Sequence, residues 1–250
     1  MLMTFRTVLD MLENEEKGVL VTVIDGTTSF KEAIGQNQIF KEGYGFLKKN
    51  SKEFSHFLAN KLDTLCKQVL KKKGLKREKI QDGEEWIDIM LEPIISTPRL
   101  IILGCGHVGQ SLAKLADQME LSLVAVDDRP DYANRDLFPA GTEILCRDFE
   151  TALDEIDPKP NDFVVIVSRG HKDDKKCLEK LADRELGYIG MMGSKRRVNN
   201  LFEELYRKGI DQDWLEEVHS PIGLDIGAET PGEIAVSILA EIVQEWRKGA

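Results

Sequence analysis

The sequence predicts an α/β protein with a doubly wound parallel sheet in its C-terminal part and a smaller mixed α/β domain before it. Three observations lead to this prediction. After about residue 98, apolar segments of strand length alternate with segments of helical periodicity. Some of these strands, such as FVVIVS at 163–168, are apolar at nearly every position, which is typical of parallel strands covered on both faces. A glycine-rich turn joins the first of them to a helix, and such sheets bind ligands at the carboxyl ends of their strands.

The N-terminal part is less regular. We predict a helix at 7–16, a strand at 19–26, a glycine-punctuated stretch of short strands, and a helix at 51–73. The lysines at 71–73 and 76–79 are interpreted as a solvated helix end, where cations complement the helix dipole.

A strand followed by a proline-bounded linker places the domain boundary near 92–98. We therefore assign 1–92 to the N-terminal domain and 93–250 to the C-terminal domain. The C-terminal elements are predicted as strands at 100–103, 122–126, 143–145, 162–168 and 188–191 and helices at 107–119, 151–155, 172–184 and 195–208.

The last helix has a clear beginning. Thr230 can cap it, Pro231 suits its first position, and Glu233 completes a capping box. An apolar stripe from Ala235 to Trp246 is explained by core packing or by an interface, so a homodimer is a prediction that this stripe permits.

Composition excludes several classes of protein. The formal net charge of −10 argues against a general nucleic-acid binder, which needs cations to neutralise phosphates. No apolar run is long enough to span a bilayer, and the first residues lack the features of a signal peptide. The four cysteines are scattered, which favours reduced thiols over disulfides or a zinc site. We expect a cytoplasmic protein with no nucleic-acid or membrane partner and no bound metal.

The glycine turn is the first candidate site. Gly104, Gly106 and Gly109 form a GxGxxG motif between a strand and a helix, where backbone N–H groups can bind phosphate. Asp127, 23 residues after Gly104, ends the next strand, where an acid can accept hydrogen bonds from ribose hydroxyls. With Asp128 it would repel a 2′-phosphate, so a dinucleotide here would be NAD rather than NADP. The alternative is that the glycines serve only helix–strand packing.

Two further residues lie inside this turn. A neutral His107 could donate to a ligand, or it could simply pack at the helix start. Cys105 could have a lowered pKa at a helix N-terminus, or it could be a small apolar filler.

Two later loops end strands at the same edge of the predicted sheet. One carries Arg169 and His171, which we expect to face the crevice. The other leads into a helix whose first turn holds Lys195, Arg196 and Arg197, an arrangement that the helix dipole disfavours unless an anion binds there. The alternatives are an ordinary polar loop and cations that extend into solvent or pair with nearby acids. The loop at 220–231 either folds over a ligand or is a plain connector.

Four stretches together resemble the XdhC/CoxI family of xanthine dehydrogenase accessory proteins. They are GCGHVG, DDRPDYANRDLFP, SRGHKDD with YIGMMGSKRR, and SPIGLDIGAETPGEIAVSILAEI, and the resemblance covers about 92–246. It implies a Rossmann-like C-terminal domain in a molybdenum cofactor chaperone. Such a protein holds the pterin cofactor while a cysteine desulfurase partner supplies sulfur, and helps to insert it into a molybdenum hydroxylase. The ligand-binding residues that the resemblance implies are Gly104, Gly106, His107, Gly109, Asp127, Arg129, Arg169, His171, Ser194, Lys195 and Arg196.

The N-terminal part departs from the family pattern. Family members show a glycine-rich segment with a GGG-Cys element there, whereas this chain has a shortened segment at 19–45 without cysteine. The departure puts any sulfur or metal handling by this domain in doubt.

Two other functions stay open at the level of sequence. One is an NAD-dependent oxidoreductase, with His107 or His171 as the candidate for proton transfer. The other is a regulatory nucleotide-binding module, since fold does not fix function. No catalytic triad spacing, HExxH motif, Walker lysine or paired-cysteine site is present, which favours a non-catalytic chaperone over an enzyme.

Overall fold

A computed structural model describes residues 2–14, 16–46, 52–72 and 74–248. The chain divides into two compact units, the first ending at Ser96 and the second comprising Thr97–Lys248. Within the described ranges, no helix is both long enough and apolar enough to cross a lipid bilayer.

The first unit is an antiparallel sheet with helices. Its elements are α1 (Leu2–Glu13), β1 (Gly18–Gly26), β2 (Asn37–Lys41), β3 (Gly45–Phe46), α2 (Lys52–Lys72), β4 (Lys76–Asp82) and β5 (Glu85–Ile94). The strands lie in the order β3-β2-β1-β5-β4, and each pair is antiparallel. Alternate residues of β1, including Val19 and Val21, are buried against α2, so strand periodicity explains this half of the core.

The basic segment after α2 is not a helix end. Residues 76–79 lie on β4, an edge strand, so that part of the sequence interpretation is wrong. Two of the cations are paired across the strands, since Arg77 contacts Asp88 at 2.6 Å and the Lys79 ammonium lies 3.7 Å from the ring centroid of Trp86. Partners on β5, rather than the dipole of α2, therefore account for these charges.

The second unit has the predicted doubly wound fold. Its strands are β6 (Arg99–Leu103), β7 (Ser122–Asp127), β8 (Glu143–Cys146), β9 (Phe163–Ile166) and β10 (Tyr188–Met191). Its helices are α3 (His107–Asp117), α4 (Phe149–Ile156), α5 (His171–Leu181), α6 (Lys195–Arg207), α7 (Gln212–Glu217) and α8 (Pro231–Lys248). The sequence did not predict the short helix α7.

The five strands are parallel, in the order β10-β9-β6-β7-β8. Alternate strand residues feed two separate cores, one shared with α4, α5, α6 and α7 and the other with α3 and α8. The chain runs outward from β6 to β8 and then returns to the other side of β6. The strand order therefore reverses between β6 and β9, the point where such sheets place their ligands.

The start of α8 confirms the predicted capping box. Thr230 N donates to Glu233 Oε2 at 3.0 Å, and Glu233 N donates to Thr230 Oγ1 at 3.3 Å. The stripe on this helix is largely committed to the core, since Ala235, Ile238 and Ile242 are fully buried. The homodimer stays a prediction.

Candidate functional site

The predicted site residues all lie along the carboxyl edge of the parallel sheet. They come from the glycine turn and the first turn of α3 after β6, from residues 127–129 at the end of β7, from residues 168–171 after β9, and from residues 193–196 after β10. The switch point between β6 and β9 is at the centre of this edge.

The three glycines of the turn have different surroundings. A Cβ at Gly104, whose φ is +124°, would lie 2.4 Å from the Val167 carbonyl oxygen, and one at Gly109 would lie 2.1 Å from the carbonyl oxygen of Gly104. A Cβ at Gly106 would meet nothing within 4 Å. Packing therefore explains Gly104 and Gly109 but not Gly106, which leaves bare backbone facing open space.

Two helices begin at this edge with glycine as the N-cap. Gly106 precedes α3 and Gly170 precedes α5, and neither helix has a side-chain hydrogen bond at its cap. The first-turn N–H groups of α3 thus lack a side-chain acceptor from the cap, and an anion can accept from them. The first turn of α3 also contains no acidic residue that would repel such an anion.

Asp127 fixes the shape of the glycine turn. The carboxylate is buried, and Oδ2 accepts from Cys105 N and Arg129 Nη2, both at 2.9 Å. Oδ1 accepts from Arg129 N at 3.1 Å and from Arg129 Nε at 2.8 Å. Burial alone raises the pKa of this carboxyl, but the bonds from Arg129 and Cys105 outweigh it and leave the pKa below the usual value. Both oxygens are engaged within the chain, so the ribose contact that the spacing predicted would have to replace these bonds.

Arg129 is held as firmly as its partner. Besides its bonds to Asp127, its guanidinium carbon lies 3.7 Å from the ring centroid of Tyr132. Such stacking adds to the ion pair, so the contacts of this arginine stabilise the turn and a ligand would have to compete with them.

Arg169 reaches across the site. Its Nη2 lies 2.7 and 2.8 Å from the two carboxylate oxygens of Asp128, and both side chains are about half exposed. Arg169 follows β9 and Asp128 follows β7, with β6 between them. Because neighbouring strands are about 4.8 Å apart, these loops are separated by roughly 10 Å, and the ion pair bridges the end of β6.

A second buried carboxylate lies under the loops after β9 and β10. Asp174 Oδ1 accepts from Ser168 Oγ at 2.6 Å, and Oδ2 pairs with Arg197 Nη2. The same Arg197 nitrogen donates to the carbonyl oxygen of Met192 at 3.2 Å. Burial raises the pKa of Asp174 despite these bonds. The network joins the loop that carries Arg169 to the loop that precedes α6.

Sequence reasoning did not single out this network, although a pattern indicates it. Asp174 shares a helix face with Cys177, Leu178 and Leu181, all of which are buried. A carboxylate at a core position of a helical repeat requires a buried partner. That observation would have pointed to Asp174, but it could not have named Arg197.

The first turn of α6 divides its cations. Ser194 is the N-cap, and its Oγ accepts from Arg197 N at 3.4 Å. Arg197 turns inward to Asp174, as the ion-pair alternative predicted, whereas Lys195 and Arg196 are exposed at the edge. The predicted anion site therefore keeps two of its three cations.

The remaining residues of the turn and loops have mixed placements. His107 is exposed in the first turn of α3, and His171 Nε2 lies 3.9 Å from Glu204 Oε2, on the side of α6. Cys105 is fully buried, and burial followed by the charge of Asp127 raises its pKa to about 12. A reactive thiol at this position is contradicted, and the apolar filler fits.

The loop at 220–231 begins as part of the sheet. His219 N donates to Ile189 O at 2.9 Å, and Ile222 N donates to Met191 O at 3.1 Å, so the chain runs along β10. Ile222 is buried in the core shared with α3. This first half is a fixed connector rather than a cover, while Asp225 to Gly227 is exposed.

Comparison with known families decides where this chain belongs. The model of the XdhC Rossmann domain matches residues 100–242. The chain belongs to the XdhC family. The match contains the glycine turn, Asp127, Asp174 and the start of α6, so the edge described above lies within the XdhC Rossmann domain.

Individual relatives agree with this assignment. Over 148 residues the chain is 35% identical to the uncharacterized protein YqeB of Escherichia coli K12, which covers 59% of this chain and 27% of YqeB. Over 167 residues it is 32% identical to a Bacillus subtilis protein named as a probable xanthine dehydrogenase subunit, which covers 67% of this chain and 48% of that protein. The chain thus spans less than half the length of these curated relatives.

A solved structure shares the fold. A crystal structure described as a xanthine dehydrogenase from Bacillus halodurans superposes with a TM-score of 0.55 over 96% of both chains, at 21% sequence identity. This likeness extends over the N-terminal unit as well as the XdhC Rossmann domain.

Proposed function

We propose that the chain is an accessory protein of a xanthine dehydrogenase-type molybdenum hydroxylase. In this role the chain binds the molybdenum cofactor as cargo and passes it on to that enzyme. The observation that carries the proposal is the bare backbone at Gly106, at an N-terminus of α3 without a side-chain cap, in a chain of the XdhC family. The pterin cofactor carries a phosphate or nucleotide tail, and that tail is the group for which this turn is suited.

The cations around the turn support an anionic cargo. Arg169 lies beside the switch point, and Lys195 and Arg196 are exposed at the next helix start. Guanidinium groups bind phosphate oxygens in a bidentate manner, and a helix N-terminus adds backbone donors. These groups bind and orient an anion, whereas the Cys105 thiol, buried and with a pKa of about 12, supplies no nucleophile there.

The names of the relatives support the choice of partner. A curated relative is named as a probable xanthine dehydrogenase subunit, which supports a molybdenum hydroxylase as the recipient. Exchange of the terminal oxo ligand for sulfur, with a cysteine desulfurase as the second partner, is the finer part of the proposal and follows from the family resemblance.

The competing function is an NAD-dependent oxidoreductase, which the strand order and the glycine turn favour. The bonds of Asp127 argue against it, because the carboxylate that would bind the ribose is already held by Cys105 N and Arg129.

The test is copurification from a host that makes molybdenum cofactor. The purified chain is denatured and oxidised, the released pterin is measured by fluorescence, and molybdenum is measured by mass spectrometry. We expect near-stoichiometric pterin, at least a several-fold loss in Lys195→Ala/Arg196→Ala, and no loss in Lys114→Ala. Lys114 is an exposed cation in the last turn of α3, at the opposite end of that helix from the glycine turn.

The same preparation is titrated with NADH. Absence of pterin together with saturable NADH binding would contradict the chaperone proposal and establish a dinucleotide site. Full activity of the partner hydroxylase in cells that lack this chain would also contradict it.

A further inference from the structure

Asp128 is the acidic residue at this edge that the proposed function leaves unexplained. It directly follows Asp127, yet the two carboxylates differ in burial and in their hydrogen-bond partners. Asp127 is buried and accepts four hydrogen bonds, while Asp128 is half exposed and accepts from Arg169. An exposed carboxylate beside a phosphate site should weaken the site, so its position requires a reason.

We propose that Asp128 competes with the bound phosphate for Arg169. The carboxylate holds Arg169 by Nη2, one of the guanidinium nitrogens that a phosphate would use, and thereby limits how tightly the edge retains its cargo. This inference rests on the proposed function, because it concerns the same phosphate site. It adds a residue that sets affinity and release rather than one that only binds.

The geometry of the pair supports competition. The ion pair joins the loops on either side of β6, the strand that leads into the glycine turn on which the phosphate is proposed to bind. Arg169 uses Nη2 for both oxygens of Asp128. That contact leaves Nε and Nη1 outside the pair, so a phosphate can approach the guanidinium while the carboxylate is still leaving.

The energetics make the exchange easy. An ion pair between half-exposed side chains is weak, because water screens the charges and both side chains lose rotamer freedom. A phosphate dianion carries more charge than a carboxylate and gains N–H donors at the start of α3. The phosphate therefore displaces Asp128, and Asp128 takes Arg169 back when the phosphate leaves, which suits a protein that must give up its cargo.

The experiment uses the full chain and inorganic pyrophosphate as the probe, titrated by calorimetry at low ionic strength. Asp128→Asn is expected to bind about two- to fivefold more tightly than wild type, the factor that an exposed ion pair is worth. Arg169→Gln is expected to bind more weakly than wild type. The double variant is expected to bind no more tightly than Arg169→Gln, because the gain requires the freed guanidinium.

A matched control separates competition from general charge. Asp131 is exposed in the same segment, and Asp131→Asn changes the net charge equally without touching the Arg169 pair. It should leave the affinity within twofold of wild type. Asp128→Ser, with thermal melting of every variant, gives a second measurement should the amide disturb the loop.

The outcomes are distinct. Unchanged or weaker binding by both Asp128 variants, an equal gain in Asp131→Asn, or a gain that survives in the double variant would each overturn the competitor role and leave the phosphate site standing. If pyrophosphate binds neither wild type nor any variant, the phosphate site of the proposed function fails, and this inference fails with it.

Discussion

Each half of the carboxyl edge contains a buried aspartate paired with an arginine, and the pKa values of the two aspartates are shifted in opposite directions. On the β6–β7 side, Asp127 has a lowered pKa, whereas on the β9–β10 side, Asp174 has a raised pKa. Both side chains are almost inaccessible to solvent, but Asp174 lies deeper in the protein than Asp127, so its carboxyl is the more strongly desolvated of the two.

The hydrogen-bond donors add to this difference in burial depth. Asp127 accepts two backbone N–H groups in addition to the guanidinium of Arg129, while Asp174 accepts a hydroxyl and a guanidinium. At Asp127 the hydrogen bonds from the Arg129 guanidinium and from the two backbone N–H groups stabilise the charged form enough to outweigh desolvation, whereas at Asp174 desolvation is the larger effect. The glycine turn is therefore held by Asp127 in its charged form. The loops after β9 and β10 are held by Asp174, whose carboxyl binds a proton more readily.

The largest expected effect breaks the first of these halves. Asp127→Ala leaves the Arg129 guanidinium and the Cys105 N–H without their acceptor, and we expect it to lower the free energy of unfolding by about 3 kcal/mol. Urea denaturation measures this loss, with Asp131→Asn as the exposed control. A loss under about 1 kcal/mol would show that Asp127 does not hold the turn.

The pH dependence of this half has a definite sign. Because the pKa of Asp127 is lowered in the folded state, its stabilisation is present above the unfolded pKa of about 3.9 and is lost as the pH falls through the folded pKa. The gap in unfolding free energy between wild type and Asp127→Ala should therefore shrink below pH 4.

A pair of alanine substitutions separates the shape of the glycine turn from its use. Gly104→Ala places a Cβ 2.4 Å from a carbonyl oxygen at a positive φ, and we expect a loss of about 1–3 kcal/mol in stability. Gly106→Ala meets open space, so stability should stay within about 0.5 kcal/mol.

The effect on pyrophosphate binding should be larger for Gly106→Ala than for Gly104→Ala. The added methyl at Gly106 occupies the space that we propose for the phosphate, so Gly106→Ala should weaken pyrophosphate binding at least fivefold in calorimetry. Unchanged binding by a folded Gly106→Ala protein would place the phosphate elsewhere.

The smallest expected effect is on the second half. Asp174→Asn keeps one acceptor oxygen, for Ser168, and places an amide NH2 group opposite the Arg197 guanidinium, and we expect a loss of about 1 kcal/mol in the free energy of unfolding at low pH, where the wild-type carboxyl is also neutral. Because the pKa of Asp174 is raised, the wild type loses stability as the pH rises from the unfolded pKa through the folded one, and the variant does not. The difference between them should therefore narrow as the pH increases, and chemical denaturation at several pH values tests this. A gap that widens with pH would contradict the raised pKa.

Periodicity and turn chemistry predicted the frame of this molecule. The parallel strands, the glycine turn and the capping box of α8 follow from local patterns, and the structure confirms them. Spacing also placed the candidate residues at one edge, because carboxyl ends of parallel strands share an edge.

Partner choice was beyond local pattern. Strand β4 and helix α7 lack strong periodicity, and the basic residues of β4 are explained only by Asp88 and Trp86 on the next strand. The sequence could not show that Arg129 folds back onto Asp127, two residues before it, since no periodicity fixes side chains in a turn. Nor could it show that Arg197 turns inward, since that contact joins separate segments of the chain.

The segment that follows α7 has a consequence for how these molecules behave at high concentration. Strand β10 ends the parallel sheet, and an uncovered edge strand offers its N–H and C=O groups to any other chain. On that side, the backbone N–H groups of His219 and Ile222 donate to the carbonyl oxygens of Ile189 and Met191. The chain thus supplies its own cap to this margin of the sheet, which removes a template for edge-to-edge aggregation.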